Sequence, residues 1–186
     1  MDFYSNERFK NWINKIKETK TNNESEFLNV FDYMMEDLVV ACLNIFSAVK
    51  RREITKKVAR DELEKIEKII ESSDVRFDDP LKDEMFKGVK EGLKAIVYSA
   101  KFYLDGKVSR KDFKALLNEA IRKEKEGKTE EALNAIARMG AKVFKGERLP
   151  DNLEIPESEN IINWLDGIDV INTVLILGEI DSQKLE

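Results

Sequence analysis

No histidine occurs anywhere in this sequence. That absence excludes Ser-His and Cys-His nucleophilic catalysis, nearly all zinc chemistry, and the di-iron bundles that need a Glu-x-x-His pair. One cysteine, Cys42, allows no intrachain disulfide and points to a reducing compartment, the cytoplasm. Eight glycines and three prolines are few for 186 residues, too few for the many tight turns of a sandwich or barrel. Neither Gly-x-x-x-x-Gly-Lys nor Gly-x-Gly-x-x-Gly is present, so no phosphate-cradling loop and no cofactor are expected. The most apolar run, Ile161 to Leu177, is interrupted by Asp166 and Asp169, so no spanning helix and no membrane partner are expected. The first residues are charged and lack the apolar stretch of a signal peptide. Glutamine is almost absent while Lys, Glu and Ile are abundant, a bias that either a heat-loving source or an AT-rich genome accounts for.

What is present is helical. The composition, 42% hydrophobic and 37% charged, is that of a soluble helix-rich protein with a real core, read as one all-α domain over residues 1–186. From Ser25 to Arg51, Leu28, Phe31, Met35, Leu38, Cys42, Ile45 and Val49 recur at steps of three and four, and flanking apolar residues leave little of the circumference polar. Such a helix belongs in the middle of a domain. Similar patterns give about seven helices arranged as stacked hairpins. The long members, Glu24 to Arg52 and Pro80 to Asp105, are expected to pack antiparallel at a shallow angle. Asp79-Pro80 is a strong start signal. Ser109 with Asp112 resembles a capping box, and Thr129 caps the next helix. Residues 1–5 and 179–186 read as flexible ends and 147–157 as an exposed connector. A shift of 54 residues lays Met35 on Val89, Cys42 on Ile96 and Val49 on Tyr103, a faint internal repeat that any two amphipathic hairpins can also imitate.

Three features invite a chemical reading. Asp105-Gly106 with Asp112 resembles the second half of a calcium loop, but Lys101 stands where the first carboxylate is required, which leaves a glycine-terminated helix followed by a capped one. Asp32 and Glu36 share one helical face, and Asp166 and Asp169 interrupt an apolar helix where an unpaired charge is costly. Together they are candidate Mg²⁺ ligands for a nucleotide hydrolase. The plainer alternatives are a solvated or salt-bridged flank for the first pair, and for the second a local cap or kink at Gly167 or pairing with lysines on another helix. Basic residues cluster at Lys50, Arg51, Arg52, Lys56, Lys57 and Arg60, six against the single acid Glu53. Residues 87–145 carry fifteen basic side chains against eight acidic, and 147–186 ten acidic against two basic. The basic cluster is a candidate phosphate-backbone contact, or a surface for the protein's own acidic tail. The segment Glu119 to Gly140 has the texture of one tetratricopeptide hairpin, but an array needs at least three.

Three strings, Tyr4-Ser5-Asn6-Glu7-Arg8 with Asn11-Trp12-Ile13, Val39-Val40-Ala41-Cys42-Leu43, and Trp164-Leu165-Asp166-Gly167, together resemble a family of small archaeal proteins catalogued as a domain of unknown function. The resemblance covers nearly the whole chain. It implies an archaeal cytoplasmic source and nothing about catalysis. The functional expectation is a non-enzymatic interaction or adaptor protein with a protein partner, a second copy of itself being one candidate. A nucleic-acid- or ribosome-associated module is the runner-up and a Mg²⁺-dependent hydrolase the third reading.

Overall fold

A computed structural model describes residues 2–183 as seven helices in one bundle. They are α1 (Asn6–Glu18), α2 (Glu24–Lys50), α3 (Lys56–Glu71), α4 (Pro80–Leu104), α5 (Phe113–Lys125), α6 (Thr129–Phe144) and α7 (Glu159–Gln183). Of the segments read as flexible ends, residue 1 and residues 184–186 lie outside the described residues. Tyr4 is buried in the core and α7 continues through 179–183.

Local chemistry places most helix starts. Ser5, Asn23, Thr55, Asp79 and Asp112 each accept a hydrogen bond from a first-turn amide, so an otherwise orphaned donor is satisfied. The cap of α5 is Asp112, three residues later than the Ser109 start; the Ser109 hydroxyl instead accepts from the Lys111 amide. Thr129 is the first residue of α6, and Lys128 precedes it without a side-chain cap. Four helices end alike. The residue after the cap turns left-handed, and its amide and the next reach back to carbonyls of the last turn. At α4, α5 and α6 that residue is glycine, but at α2 it is Arg52, with φ +60°. A side chain in this conformation costs about 1–2 kcal/mol.

The direction of each helix follows from its neighbours. Glu67 pairs with Lys101, and the Lys90 ammonium donates to the Glu71 carbonyl, so α3 runs against α4. Arg138 pairs with Glu119 at 2.5 Å and Lys123 with Glu131, so α5 and α6 form an antiparallel hairpin. Met35 lies against Gly92, and the rings of Phe46 and Tyr103 stand 4.6 Å apart, so α2 and α4 run parallel. This corrects the antiparallel expectation. A hydrophobic register matches faces without fixing direction; here α3 takes the antiparallel place between the long helices, and two short connections return α4 parallel to α2. The segment 145–158 then carries the chain back from the end of α6 to the start of α7, where the Ser158 hydroxyl donates to Glu124 at 2.6 Å. Within it Leu149 and Leu153 pack on the core and Ile155 is exposed.

The most extensive helix contact joins α4 to α7, with α6 behind them. It is made close by small residues. A β-carbon on Gly167 would overlap the Gly92 carbonyl, and one on Gly140 would overlap Ser99. Gly167 therefore brings two backbones together, and it lies inside α7 and not at a cap. Trp164, 1% exposed, locks the same contact by donating its indole N–H to Glu91 at 2.7 Å. By length and composition α7 is also apolar enough to cross a membrane, with a mean hydropathy of 1.4 in its most apolar window. The core accounts for its first half, where Ile161, Trp164, Leu165, Ile168 and Ile171 are buried, while Leu177 and Ile180 are exposed.

Gly167→Val forces α7 away from α4 and is expected to destabilise the protein by about 3 kcal/mol in chemical denaturation. Gly178→Ala lies on the same helix, where an added β-carbon meets nothing within 4 Å, and is expected to stabilise by about 0.5–1 kcal/mol.

Candidate functional site: an acidic cleft between α2, α4 and α7

The crossing at Gly92 and Gly167 sets α7 beside the first half of α2 and leaves an open cleft of about 680 Å³ between α2, α4 and α7. Its floor is apolar: Phe31 and Met35 from α2, Met85 and Val89 from α4, and Val170 from α7. Leu28 and Leu81 stand at its edge, 40% and 46% exposed. Leu28 was part of the apolar register of α2, yet here that register meets solvent instead of another helix. Five acids line the cleft, namely Asp32, Glu84, Glu159, Asp166 and Asp169, and no Lys or Arg does. Lys87 and Lys90 line the next hollow along, beyond Glu84 and Glu159, and Lys90 is held by the carbonyls of Glu71 and Ser73.

The structure thus brings together three of the four acids singled out from sequence. Asp32 comes from α2, and Asp166 and Asp169 from α7, with Glu36 one turn along α2 from Asp32. Partial desolvation against the cleft wall raises the Asp32 carboxyl above the usual aspartate range, and the charge of Asp169 raises it further. Burial and then the charges of Asp169 and Asp32 do the same to Asp166. Glu36 is raised by burial and by Asp32. Pairing with lysines, one of the plainer alternatives, is not what holds these groups: none of them forms an ion pair among the described residues. Nor do three carboxylates converge on one point, and among the described residues no group of three His, Cys, Asp or Glu is placed to hold a metal ion. Mutual repulsion of this kind is relieved by a proton, by a cation or by a cationic partner.

Glu84, Glu159 and the α4 edge are the residues that the sequence reading missed. Their signal is a stripe, Leu81, Met85 and Gly88 at steps of four and three, displaced from the core register of Phe86, Val89 and Leu93. Glu159 occupies the first turn of α7, where the helix dipole favours an acid.

At the other end of the bundle the basic joint is divided in its commitments. Arg51 pairs with Glu53 at 2.8 Å, and Arg60 with Asp105 and with Glu64 at 3.5 Å. Lys50, Arg52, Lys56 and Lys57 are exposed and form no ion pair among the described residues. Lys107 reaches Asp105 at 3.8 Å, which joins this turn to the α4–α5 turn. Asp105 is thereby engaged by two cations, and Asp112 by the first turn of α5, as the glycine-terminated and capped reading of the calcium-like segment requires. In the acidic C-terminal segment, Glu179 pairs with Arg148 of the connector at 2.8 Å.

With this geometry in place, a family model of uncharacterised proteins conserved in archaea, DUF2150, matches residues 2–183. The chain belongs to that family. No curated protein and no solved structure matches it. In this DUF2150 member all three strings that carried the resemblance have a packing role, Val39, Ala41 and Cys42 being fully buried in the core. Arg8 and Trp12 both donate to Asp37, at 2.9 and 2.8 Å, and fasten α1 to α2, while Arg8 also holds the Phe3 carbonyl at 3.0 Å. Trp164 and Gly167 fasten α7 to α4. Cys42 is fully enclosed on α2, and burial pushes its thiol up to about 12, so it stays protonated.

The raised carboxyls fix a pH dependence. Below the ordinary aspartate range both the folded and unfolded chains are protonated at these groups and stability is unaffected. As pH rises from the ordinary value through the raised one, the folded state holds more protons than the unfolded, so stability falls; above that the loss is complete. Asp166→Asn removes a repelled charge without changing shape. Its melting temperature is expected to exceed the wild type at pH 8 and to converge with it as the pH falls below the carboxylate range.

Proposed function

We propose that the protein acts by binding, as an interaction or adaptor module whose cleft between α2, α4 and α7 receives a protein partner. The observation that carries this reading is the combination in one concavity of an apolar floor with partly exposed Leu28 and Leu81 and a rim of carboxylates without ion-pair partners among the described residues. Contiguous apolar surface rimmed by polar groups marks interaction sites more often than chance exposure, and unpaired rim charges select a partner and speed its approach. A photo-crosslinking residue at Leu81, compared with one at the exposed Val58 of α3, tests it in the native cytoplasm. A discrete adduct from position 81 and none from 58 is expected. Equal or absent adducts from the two positions would sink the reading.

A second reading rests on the four uncommitted cations of the α2–α3 joint together with Lys107. A surface of this kind tracks a phosphate backbone by releasing counterions. The triple variant Arg52→Glu, Lys56→Glu, Lys57→Glu is expected to weaken RNA or DNA binding at least tenfold and to flatten its dependence on salt. An unchanged salt slope removes the nucleic-acid role.

A further inference from the structure

Resting on the interaction reading, we infer that the occupant of the cleft is a basic amphipathic α-helix, its apolar face on the methionine-bearing floor and its Lys or Arg side chains on the carboxylate rim.

Three observations lead there. The first is charge complementarity. Asp32, Glu84, Glu159, Asp166 and Asp169 line the cleft without one Lys or Arg among the lining residues. Asp32, Glu84, Glu159 and Asp166 are also solvent-exposed, so cations from outside can reach them. An acidic partner would add to the repulsion already raising Asp32 and Asp166, whereas a cationic one removes it.

The second is the kind of surface offered. Every wall is the flank of a helix, so the cleft presents side chains and no unpaired strand edge. An extended segment entering it would leave its own buried amides and carbonyls without partners, a costly loss. A helix brings its backbone bonds with it, and it needs only apolar anchors along one face. Gly88 meets Asn163 and Gly92 meets Gly167, so α7 runs parallel to α4 and hence to α2, and the lining residues follow all three helices along their length.

The third is the floor chemistry. The half-buried Met85 lines the groove together with the exposed Leu28 and Leu81, while Phe31, Met35 and Val89 are buried. Thioether side chains are unbranched and polarisable, and they remodel around anchors of differing shape. That suits a surface that accepts a class of helices in preference to one rigid knob.

The test uses the whole protein and three synthetic peptides of about 18 residues, about five turns of helix. All carry leucine on one face; the other face is Lys in the first, Glu in the second and Gln in the third. Anisotropy titration is expected to show binding of the Leu/Lys peptide, falling steeply with salt, and none of the Leu/Glu peptide. The pair Asp32→Lys with Glu84→Lys is expected to weaken it at least tenfold. Asp151→Lys with Glu154→Lys changes net charge equally but lies on the connector, and should leave affinity within about twofold. Leu81→Ser, at a half-exposed position that tolerates the change, is expected to cost about fivefold by removing an anchor.

If the connector variant loses as much as the cleft variant, or Leu81→Ser has no effect, the attraction is bulk charge and the inference is overturned. Preferential binding of the Leu/Gln or Leu/Glu peptide, sensitive to Leu81→Ser, overturns the basic character alone and leaves the cleft as an interaction site. No peptide binding, with a position-81 adduct still formed in cells, overturns the helical occupant alone. An adduct to a second copy of this chain overturns it in favour of a homodimer. Loss of both peptide binding and adducts takes down the interaction reading itself.

Discussion

The bundle depends on one close approach, that of the α4 and α7 backbones at Gly92 and Gly167. Helices separated by ordinary side chains stand about 8–10 Å apart. Where neither has a β-carbon they come nearer, and whatever is carried on either side of the contact is fixed with little tolerance. On α7 that neighbourhood contains Trp164, which anchors to Glu91, and Asp166 and Asp169, which are swung toward α2. Removing the contact would not merely loosen a helix; it would take the carboxylates of α7 away from Asp32.

From that constraint follows an unusual distribution of charge. One flank of the bundle gathers acids that do not neutralise one another, while the turns at the far end gather cations, only some of which are paired. Folding alone gives no reason to concentrate like charges, since each raised carboxyl subtracts from stability at neutral pH. The buried charges elsewhere are paired: Glu62 is bonded to Lys65 at 2.6 Å, and Lys82 donates to the Lys17 carbonyl at 2.8 Å, although the buried Tyr4 hydroxyl has no partner among the described residues. The contrast supports the proposal that the cleft serves binding, since local departures from the pairing rule are expected at functional sites.

Much of this was legible in the sequence because helices announce themselves locally. Asp79-Pro80 fixes the start of α4, Gly106, Gly127 and Gly146 mark three ends, and the three-four spacing of apolar residues locates the core faces. Relative direction was not legible, since Phe31, Met35 and Leu38 say which face of α2 is covered and nothing about which way its neighbour runs. Glu67 illustrates a second limit. It lies on the polar face of α3 and reads as solvent-directed, but it reaches Lys101 of α4 across the groove. Asp166 and Asp169 were conspicuous as charges in an apolar helix, yet their company could not be inferred: Asp32 lies more than 130 residues earlier and only the fold joins them. Leu28 was misleading for the same reason, a residue in perfect register with the core that ends at the mouth of a cleft.

The two tryptophans turn these contacts into optical probes. Trp12, half-buried, reports the clasp of α1 on α2 through Asp37, and Trp164, enclosed, reports the seating of α7 on α4 through Glu91. Each indole N–H rests on a carboxylate and the surroundings differ in water content, so their emission separates by wavelength. With one replaced by Phe at a time, the protein carries a built-in fluorophore for either edge of the bundle. Partial opening at α1 can then be watched apart from opening at α7, without a label.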